Sequence, residues 1–195
     1  KLINNLIKLS EDEKVSTIIK VRAHDEDNRE LFFITKKGIV KKTEARLFFH
    51  INKNGIRALT LKGEDELTYV GLTSGTKKNE VFIATRAGFA IRFSEEDVRS
   101  MGRTAAGVKG INLRKDDFVV SAAIVNPETD LDKLSVLTIT DEGYGKRTSL
   151  KEYKVQTRGG KGIINLKVND KTGKIVDVKI VDNETEIMLI TSEGT

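Results

Sequence analysis

The sequence predicts an all-β protein built from repeated four-stranded units of about 50 residues each. Two observations predict it. A strand–turn pattern recurs at nearly constant spacing, and the apolar segments are rich in Val, Ile, Thr and Phe, which favour strands over helices. The chain has 195 residues, of which 38% are hydrophobic and 32% charged. It is therefore long enough to bury a sizeable core.

The first strand of each unit ends in a tight turn that closes on glycine. These turns end at Gly38, Gly88, Gly143 and Gly194, which lie 50, 55 and 51 residues apart. Apolar runs precede them at 31–33, 81–83, 134–137 and 187–189. Each run and its turn are typical of a β-hairpin, where glycine supplies the positive φ that a tight turn requires.

A second strand follows the first three turns and carries cations near its end. After a polar stretch comes a second glycine, Gly55, Gly107 or Gly162, followed by an aliphatic residue and another predicted strand. Acidic residues then lead into a last strand at 69–72 and 120–125, and a longer connection leads into 175–180. Only 95–100 is expected to form a helical turn.

These markers divide the chain into repeats of a single domain, 1–195. We expect repeats at 30–75, 79–127 and 132–182, with 1–24 as the second half of a preceding unit and 185–195 as the first strand of a further one. Four strands in about 50 residues match the blade of a propeller. The chain is expected to be a fragment of a longer array; alternatively, its two half-units pair and close a small ring.

The cations recur in one phase of the repeat. The net charge is only +5, but 99–115 contains five cations and no acid, and 146–161 contains six cations and one acid. In a blade array, residues in one phase fall along one rim, and a rim of basic loops suits a long polyanion. The alternative is an ordinary solvated surface.

The segment 156–162 is the most distinctive of these loops. It places Arg158 and Lys161 among Gly159, Gly160 and Gly162. Glycine allows close approach of another surface, and exposed N–H groups add to the cations as phosphate donors.

The sequence offers no catalytic or metal-binding constellation. It has no cysteine, which excludes disulfides and thiolate metal sites and is compatible with a reducing cytosol. His24 and His50 are isolated. No run of eighteen apolar residues predicts a membrane span, and the first residues lack the apolar core of a signal peptide. We expect no cofactor, no metal and no catalytic residue.

Three segments, 101–111, 142–148 and 156–162, closely resemble the C-terminal domain of the DNA gyrase A protein, which is the A subunit of a type IIA topoisomerase. The resemblance covers essentially the whole chain. It implies a β-pinwheel, a propeller-like ring of four-stranded blades, six in the full domain, that exchange strands with their neighbours. It also implies that the domain binds, bends and wraps duplex DNA on a basic outer rim with little sequence specificity. The domain itself is non-catalytic and supports negative supercoiling by the ATP-dependent holoenzyme.

The segment 156–162 is similar to the family's gyrase A box at every position except Thr157, where the family has arginine. The family's essential box lies in its first blade, so this box is interpreted as a secondary copy, with the principal one upstream. The resemblance and the charge pattern together predict DNA contacts at Gln156, Arg158, Gly159, Gly160, Lys161, Gly162, Lys146, Arg147, Arg103, Lys109, Arg92, Lys41 and Lys42.

The partners implied by the resemblance are duplex DNA, the N-terminal part of the gyrase A protein and the gyrase B protein of the holoenzyme. The isolated domain is expected to be a monomer, cytoplasmic and nucleoid-associated, with no membrane partner. Two alternatives stay open: the topoisomerase IV counterpart of this domain, and a propeller-like protein-interaction scaffold. The low aromatic content, 6% with no tryptophan, counts against the scaffold.

Overall fold

In the residues that the structure describes, three antiparallel β-sheets follow one another along the chain. The structure is a computed structural model that describes residues 13, 15–21, 28–50, 55–126 and 128–190. Its strands are β1 (Glu30–Thr35), β2 (Ile39–Glu44), β3 (Leu67–Leu72), β4 (Glu80–Thr85), β5 (Phe89–Ser94), β6 (Val108–Lys109), β7 (Val119–Val125), β8 (Ser135–Thr140), β9 (Gly145–Ser149), β10 (Ile163–Ile164) and β11 (Ile175–Val181). Within these ranges, no helix is long and apolar enough to cross a membrane.

Each sheet, or blade, is built around a hairpin, and two of the three borrow a strand from the next repeat. The strand order is β3-β1-β2-β6 in the first blade, β10-β5-β4-β7 in the second and β11-β8-β9 in the third. The short strand β6 comes from the second repeat, yet it pairs with β2 of the first. In the same way β10 leaves the third repeat and pairs with β5 of the second. This is the strand exchange that the resemblance implied.

A threonine closes each of the three hairpins. It is the last residue of the first strand. Its hydroxyl oxygen accepts the backbone N–H of a residue at, or directly before, the start of the second strand. The donors are Ile39 for Thr35 at 3.1 Å, Phe89 for Thr85 at 3.3 Å and Tyr144 for Thr140 at 3.1 Å. In each hairpin, the threonine hydroxyl therefore accepts an N–H group that the tight turn leaves without a backbone carbonyl partner.

Two of the acidic residues also serve the hairpins. The Asp65 carboxylate accepts the N–H of Lys37 at 2.9 Å, and the Asp117 carboxylate accepts the N–H of Ala87 at 2.8 Å. These acids therefore fix the turn of their own blade.

The core lies between blades. In β4, Val81 and Ile83 face the first blade and pack with Phe32, whereas Phe82 faces the third blade and packs with Val136. A central strand with both faces buried is apolar at successive positions, which explains the unbroken apolar runs in the sequence. Each blade can bury its faces only against neighbours, as in other repeat proteins.

The exchanged strands form the outer edge of the stack. The last strand of each repeat lies on the opposite edge, where β7 contacts both β3 and β11. The last strands of the three repeats, β3, β7 and β11, therefore lie next to one another, and we call them the inner strands. At the opposite edges of the sheets, β6, β10 and, among the described residues, β9 lie outermost.

Gly162 lets the chain cross from the third repeat to the second blade. Its φ is +69°, and a Cβ there would lie 2.4 Å from the Ala90 carbonyl oxygen. Gly107 makes the equivalent crossing onto the first blade, with a φ of +91° and a Cβ position 2.5 Å from the Val40 carbonyl oxygen. A side chain at either position would push the borrowed strand away from its partner.

Three strand predictions differ from the structure. No strand forms at 56–58 after Gly55. Residues 185–190 form no strand either, and 191–195 lie outside the described residues. Of the predicted half-unit 1–24, only 13 and 15–21 are described, and they form no strand.

The predicted helical turn is one of three such turns in the described part of the chain. Short 3-10 turns follow the second strand of every blade, at Ala45–Phe48, Glu95–Asp97 and Leu150–Glu152. Ser94 and Ser149 cap the latter two by accepting backbone N–H groups.

The crossing glycine can be tested with a matched pair of substitutions. Gly162→Ala and Gly143→Ala both place Cβ at positive φ, but no atom lies within 4 Å of a Cβ at Gly143. Gly143→Ala should cost about 1–2 kcal/mol in the free energy of unfolding from backbone strain alone. Gly162→Ala should cost clearly more, because a backbone oxygen blocks the Cβ. Urea unfolding measures both, and equal costs would contradict the close crossing.

Candidate nucleic-acid interface

Six exposed cations lie on or beside the outermost strands. We call this set the basic edge, and it comprises Lys109, Arg114, Lys115, Lys146, Arg147 and Lys161. Lys109 is on β6, while Lys146 and Arg147 are on β9. Strand exchange brings Lys109, on β6, and Lys161, just before β10, to the preceding blades, whereas Lys146 and Arg147 lie on the outermost strand of their own blade.

The box loop, residues 156–162, lies across the second repeat. The Gln156 N–H donates to the Arg92 carbonyl at 2.7 Å, and the Gly159 N–H donates to the Gly110 carbonyl at 2.7 Å. In return, the Gly160 carbonyl accepts the N–H of Asn112 at 2.8 Å. Sequence analysis expected exposed N–H groups of this loop to donate to phosphate. The Gly159 N–H already donates to a carbonyl of the protein.

Arg158 fastens this loop to its neighbour. Its Nε donates to the Asp97 carbonyl at 3.0 Å, and its Nη1 donates to the Lys109 carbonyl at 2.7 Å. Its backbone N–H also donates to the Asp97 carboxylate at 3.1 Å. The half-buried guanidinium therefore uses two of its N–H donors to join the second and third repeats.

Lys161 is the outward-facing cation of the loop. Its side chain is exposed, and nothing in the described part of the chain bonds to its ammonium. Its carbonyl is held by Arg114, whose Nη1 donates to it at 3.0 Å. The backbone of Lys161 is thus fixed while the charge points to solvent.

Lys41 is not at the surface, which corrects the expectation from sequence. The whole residue is 0% exposed, and its Nζ donates to the Ala58 carbonyl at 2.5 Å and to the Arg103 carbonyl. Burial, together with the nearby charge of Arg103, lowers the pKa of Lys41 to about 8. This lysine ties the first blade to the crossing segment of the second repeat.

Lys42 and Arg92 are also enclosed, so the structure does not present them at the surface, where sequence analysis expected them to contact phosphate. Lys42 pairs with Glu30 at 3.1 Å. Arg92 pairs with Glu80, and its Nη1 donates to the carbonyls of Leu150 and Tyr153 at 3.0 and 3.1 Å. Both sit at the same position of their blades, where a buried cation needs a carboxylate and fixed oxygens as partners.

Four other predicted contact residues are either exposed or half-buried. Lys146 is exposed, and its Nζ donates to the Asn165 carbonyl at 3.3 Å. Arg147 is exposed, and its Nη2 donates to the Asn183 side chain at 2.6 Å. Arg103 is half-buried at the position equivalent to Arg158, and Gln156 is half-buried at the start of the box loop.

Sequence reasoning missed the role of Arg114. The residue was visible only as one member of a cationic run, because its partners are distant in sequence. In the structure its guanidinium carbon lies 3.1 Å from the centroid of the Phe89 ring, in addition to its bond with Lys161.

The described residues contain no group of three or more His, Asp or Glu side chains that could hold a metal ion. His50 is exposed, and His24 lies outside the described residues.

A family model described as the DNA gyrase C-terminal domain, a beta-propeller, matches residues 4–22, 29–74, 79–126 and 135–182. The chain belongs to this family. Both the resemblance and the all-β, four-stranded blade fold predicted from sequence are confirmed.

Two relatives in sequence are named as the A subunit of DNA gyrase. The protein of Lawsonia intracellularis is 45% identical over 190 residues, and that of Staphylococcus epidermidis is 43% identical over 192 residues. These alignments cover 97% and 98% of this chain, but only 23% and 21% of the relatives. The chain thus spans under a quarter of the length of the curated relatives it matches.

Solved structures of two related domains have the same fold. The C-terminal domain of a DNA topoisomerase IV superposes with a TM-score of 0.83 at 30% identity, covering 94% of this chain and 55% of that one. A DNA gyrase A C-terminal domain superposes with a TM-score of 0.78 at 27% identity, covering 93% of this chain and 58% of that one.

The buried Lys41 predicts a distinct pH dependence. Because its pKa is about 8 in the folded chain and 10.5 as an ordinary lysine, the unfolded chain binds more protons between these values. The unaltered chain should therefore gain stability relative to Lys41→Met as pH rises from about 8 to 10.5. Urea unfolding of both chains across this range measures the difference, in which the other titrating groups cancel. A constant difference would show that Lys41 keeps an ordinary pKa.

Proposed function

We propose that the chain binds duplex DNA along the basic edge, bends it and wraps it with little sequence specificity. The observation that carries this proposal is the exposed Lys161, which lies in the loop just before the outermost strand β10. Arg158 of the same loop bonds to the Lys109 carbonyl on β6, and Arg114 holds the Lys161 carbonyl. Exposed lysines at successive outer positions suit the regularly spaced phosphates of a long duplex.

The contacts that we propose are to phosphates rather than to bases. The helical elements in the described residues are 3-10 turns of three or four residues, too short to enter a major groove as a recognition helix. Phosphate contacts position the duplex but carry no direct sequence information. Binding should therefore depend on charge and on the ease of bending.

The structure supports a division of the cations into two groups. We propose that Lys109, Lys115, Lys146, Arg147 and Lys161 contact phosphates. The enclosed or bridging cations, Lys41, Lys42, Arg92 and Arg158, hold the blades and loops in place. Bending a short site by 40–90° costs on the order of 1–6 kcal/mol, so several phosphate contacts are needed to offset it.

In the whole protein, we propose that the domain supports negative supercoiling together with the N-terminal part of the gyrase A protein and with the gyrase B protein. The chemistry of DNA cleavage and ATP hydrolysis then belongs to those parts, and the protein acts in the cytoplasm at the nucleoid. Gyrase is favoured over topoisomerase IV because the two sequence relatives described above, at 45% and 43% identity, are named as the A subunit of DNA gyrase.

Salt dependence tests the phosphate contacts. Affinity of the 195-residue chain for a long duplex should fall steeply with salt, and Lys161→Gln should reduce the slope of log affinity against log salt by about 1. Lys179→Gln serves as the control, because it removes an exposed cation from the inner strand β11. Its slope should match that of the unaltered chain.

Two results would contradict the proposal. Affinity that barely changes with salt would exclude a phosphate-based surface. Equal loss of slope in Lys161→Gln and Lys179→Gln would show that only net charge matters and that the basic edge is not the site.

A further inference from the structure

We propose that Arg114 is a positioning residue that clamps the box loop and thereby aims Lys161 at DNA. Its Nη1 donates to the Lys161 carbonyl at 3.0 Å, and its guanidinium carbon lies 3.1 Å from the centroid of the Phe89 ring. The DNA part of this inference rests on the proposed function, whereas the clamp itself does not.

The clamp is anchored on the second blade. Phe89 opens β5, and its own N–H is held by the Thr85 hydroxyl at 3.3 Å. In the ladder between β5 and the borrowed strand β10, Phe89 is the partner of Ile164. Arg114 therefore reaches from the second repeat to the loop of the third, at the place where the chain crosses between them.

Arginine suits this position and lysine does not. A planar guanidinium can stack on a ring and still direct an N–H in its plane toward a carbonyl. A lysine ammonium keeps the charge but is a flexible point donor. Arg114→Lys thus separates the charge of Arg114 from its geometry.

The loop is fixed at both ends around the exposed charge of Lys161. Arg158 fastens its start to Asp97 and Lys109, and the crossing at Gly162 confines its end against the Ala90 carbonyl. Arg114 holds the carbonyl between these two points. The exposed ammonium of Lys161 is the part of the residue that this bracing leaves available.

A protease experiment tests the clamp without DNA. Trypsin cleaves after lysine, so the Lys161–Gly162 bond is a site whose carbonyl Arg114 holds. Release of residues 162–195 from the 195-residue chain, followed by mass spectrometry, should be faster in Arg114→Gln and Arg114→Lys. Lys115→Gln is the matched control: it removes a neighbouring exposed cation that bonds to no other described residue, and it should leave the rate unchanged.

A double-mutant cycle tests the link to DNA. Arg114→Gln and Arg114→Lys should both weaken duplex binding, and neither should weaken it further in the Lys161→Gln background. The double variants should match Lys161→Gln within about twofold, the usual error of additivity. Lys115→Gln should instead add its effect to that of Lys161→Gln.

The outcomes separate the two claims. An unchanged cleavage rate in Arg114→Gln overturns the clamp. Two other results would overturn the role of Arg114 in aiming Lys161, even if cleavage is faster. These are normal DNA binding by Arg114→Lys and additive losses of affinity in the double-mutant cycle. Either result would make Arg114 a direct charge contact to DNA. Failure of the unaltered chain to bind duplex overturns the proposed function and the DNA link together, and faster cleavage would then support the clamp alone.

Discussion

The borrowed strand is the constraint on which the rest of this structure depends. Two residues, as in β6 or β10, make a weak ladder by themselves. Their attachment is secured by the close crossing at Gly107 or Gly162 and by bonds from the following residues, such as the Gly110 N–H to the Gly38 carbonyl at 2.8 Å. The second and third repeats are thereby linked to the preceding blade at its outer edge, while apolar faces join the blades inside.

This construction also explains why the cations have two different roles. Crossing segments leave carbonyl oxygens between blades, and cationic side chains are the donors that satisfy them. Lys41 reaches the Arg103 carbonyl, and Arg158 reaches the Lys109 carbonyl. Other cations of the same repeats stay exposed on the outermost strands. The chain therefore uses positive charge both on its exposed outer edge and to hold its own blades together.

The sequence was sufficient for the repeat, the hairpins and the phase of the charges, because each follows from local spacing and side-chain type. It was not sufficient to show that Lys41 and Lys42 are buried whereas Lys146 and Arg147 are exposed. These residues share a position in the repeat, and their burial depends on which segment of the next repeat covers them. The role of Arg114 could not be predicted for a similar reason, because both its partners, Phe89 and Lys161, are distant from it in sequence.

The central claim is that exchanged strands carry exposed cations of successive repeats into one continuous surface for DNA. It is tested most directly by the affinity of the 195-residue chain for duplexes of increasing length at fixed moderate salt. A continuous surface predicts that affinity keeps rising until the duplex is long enough to pass the outer edges of the second and third repeats. A plateau at a short oligonucleotide would reduce the basic edge to one local patch and contradict the account.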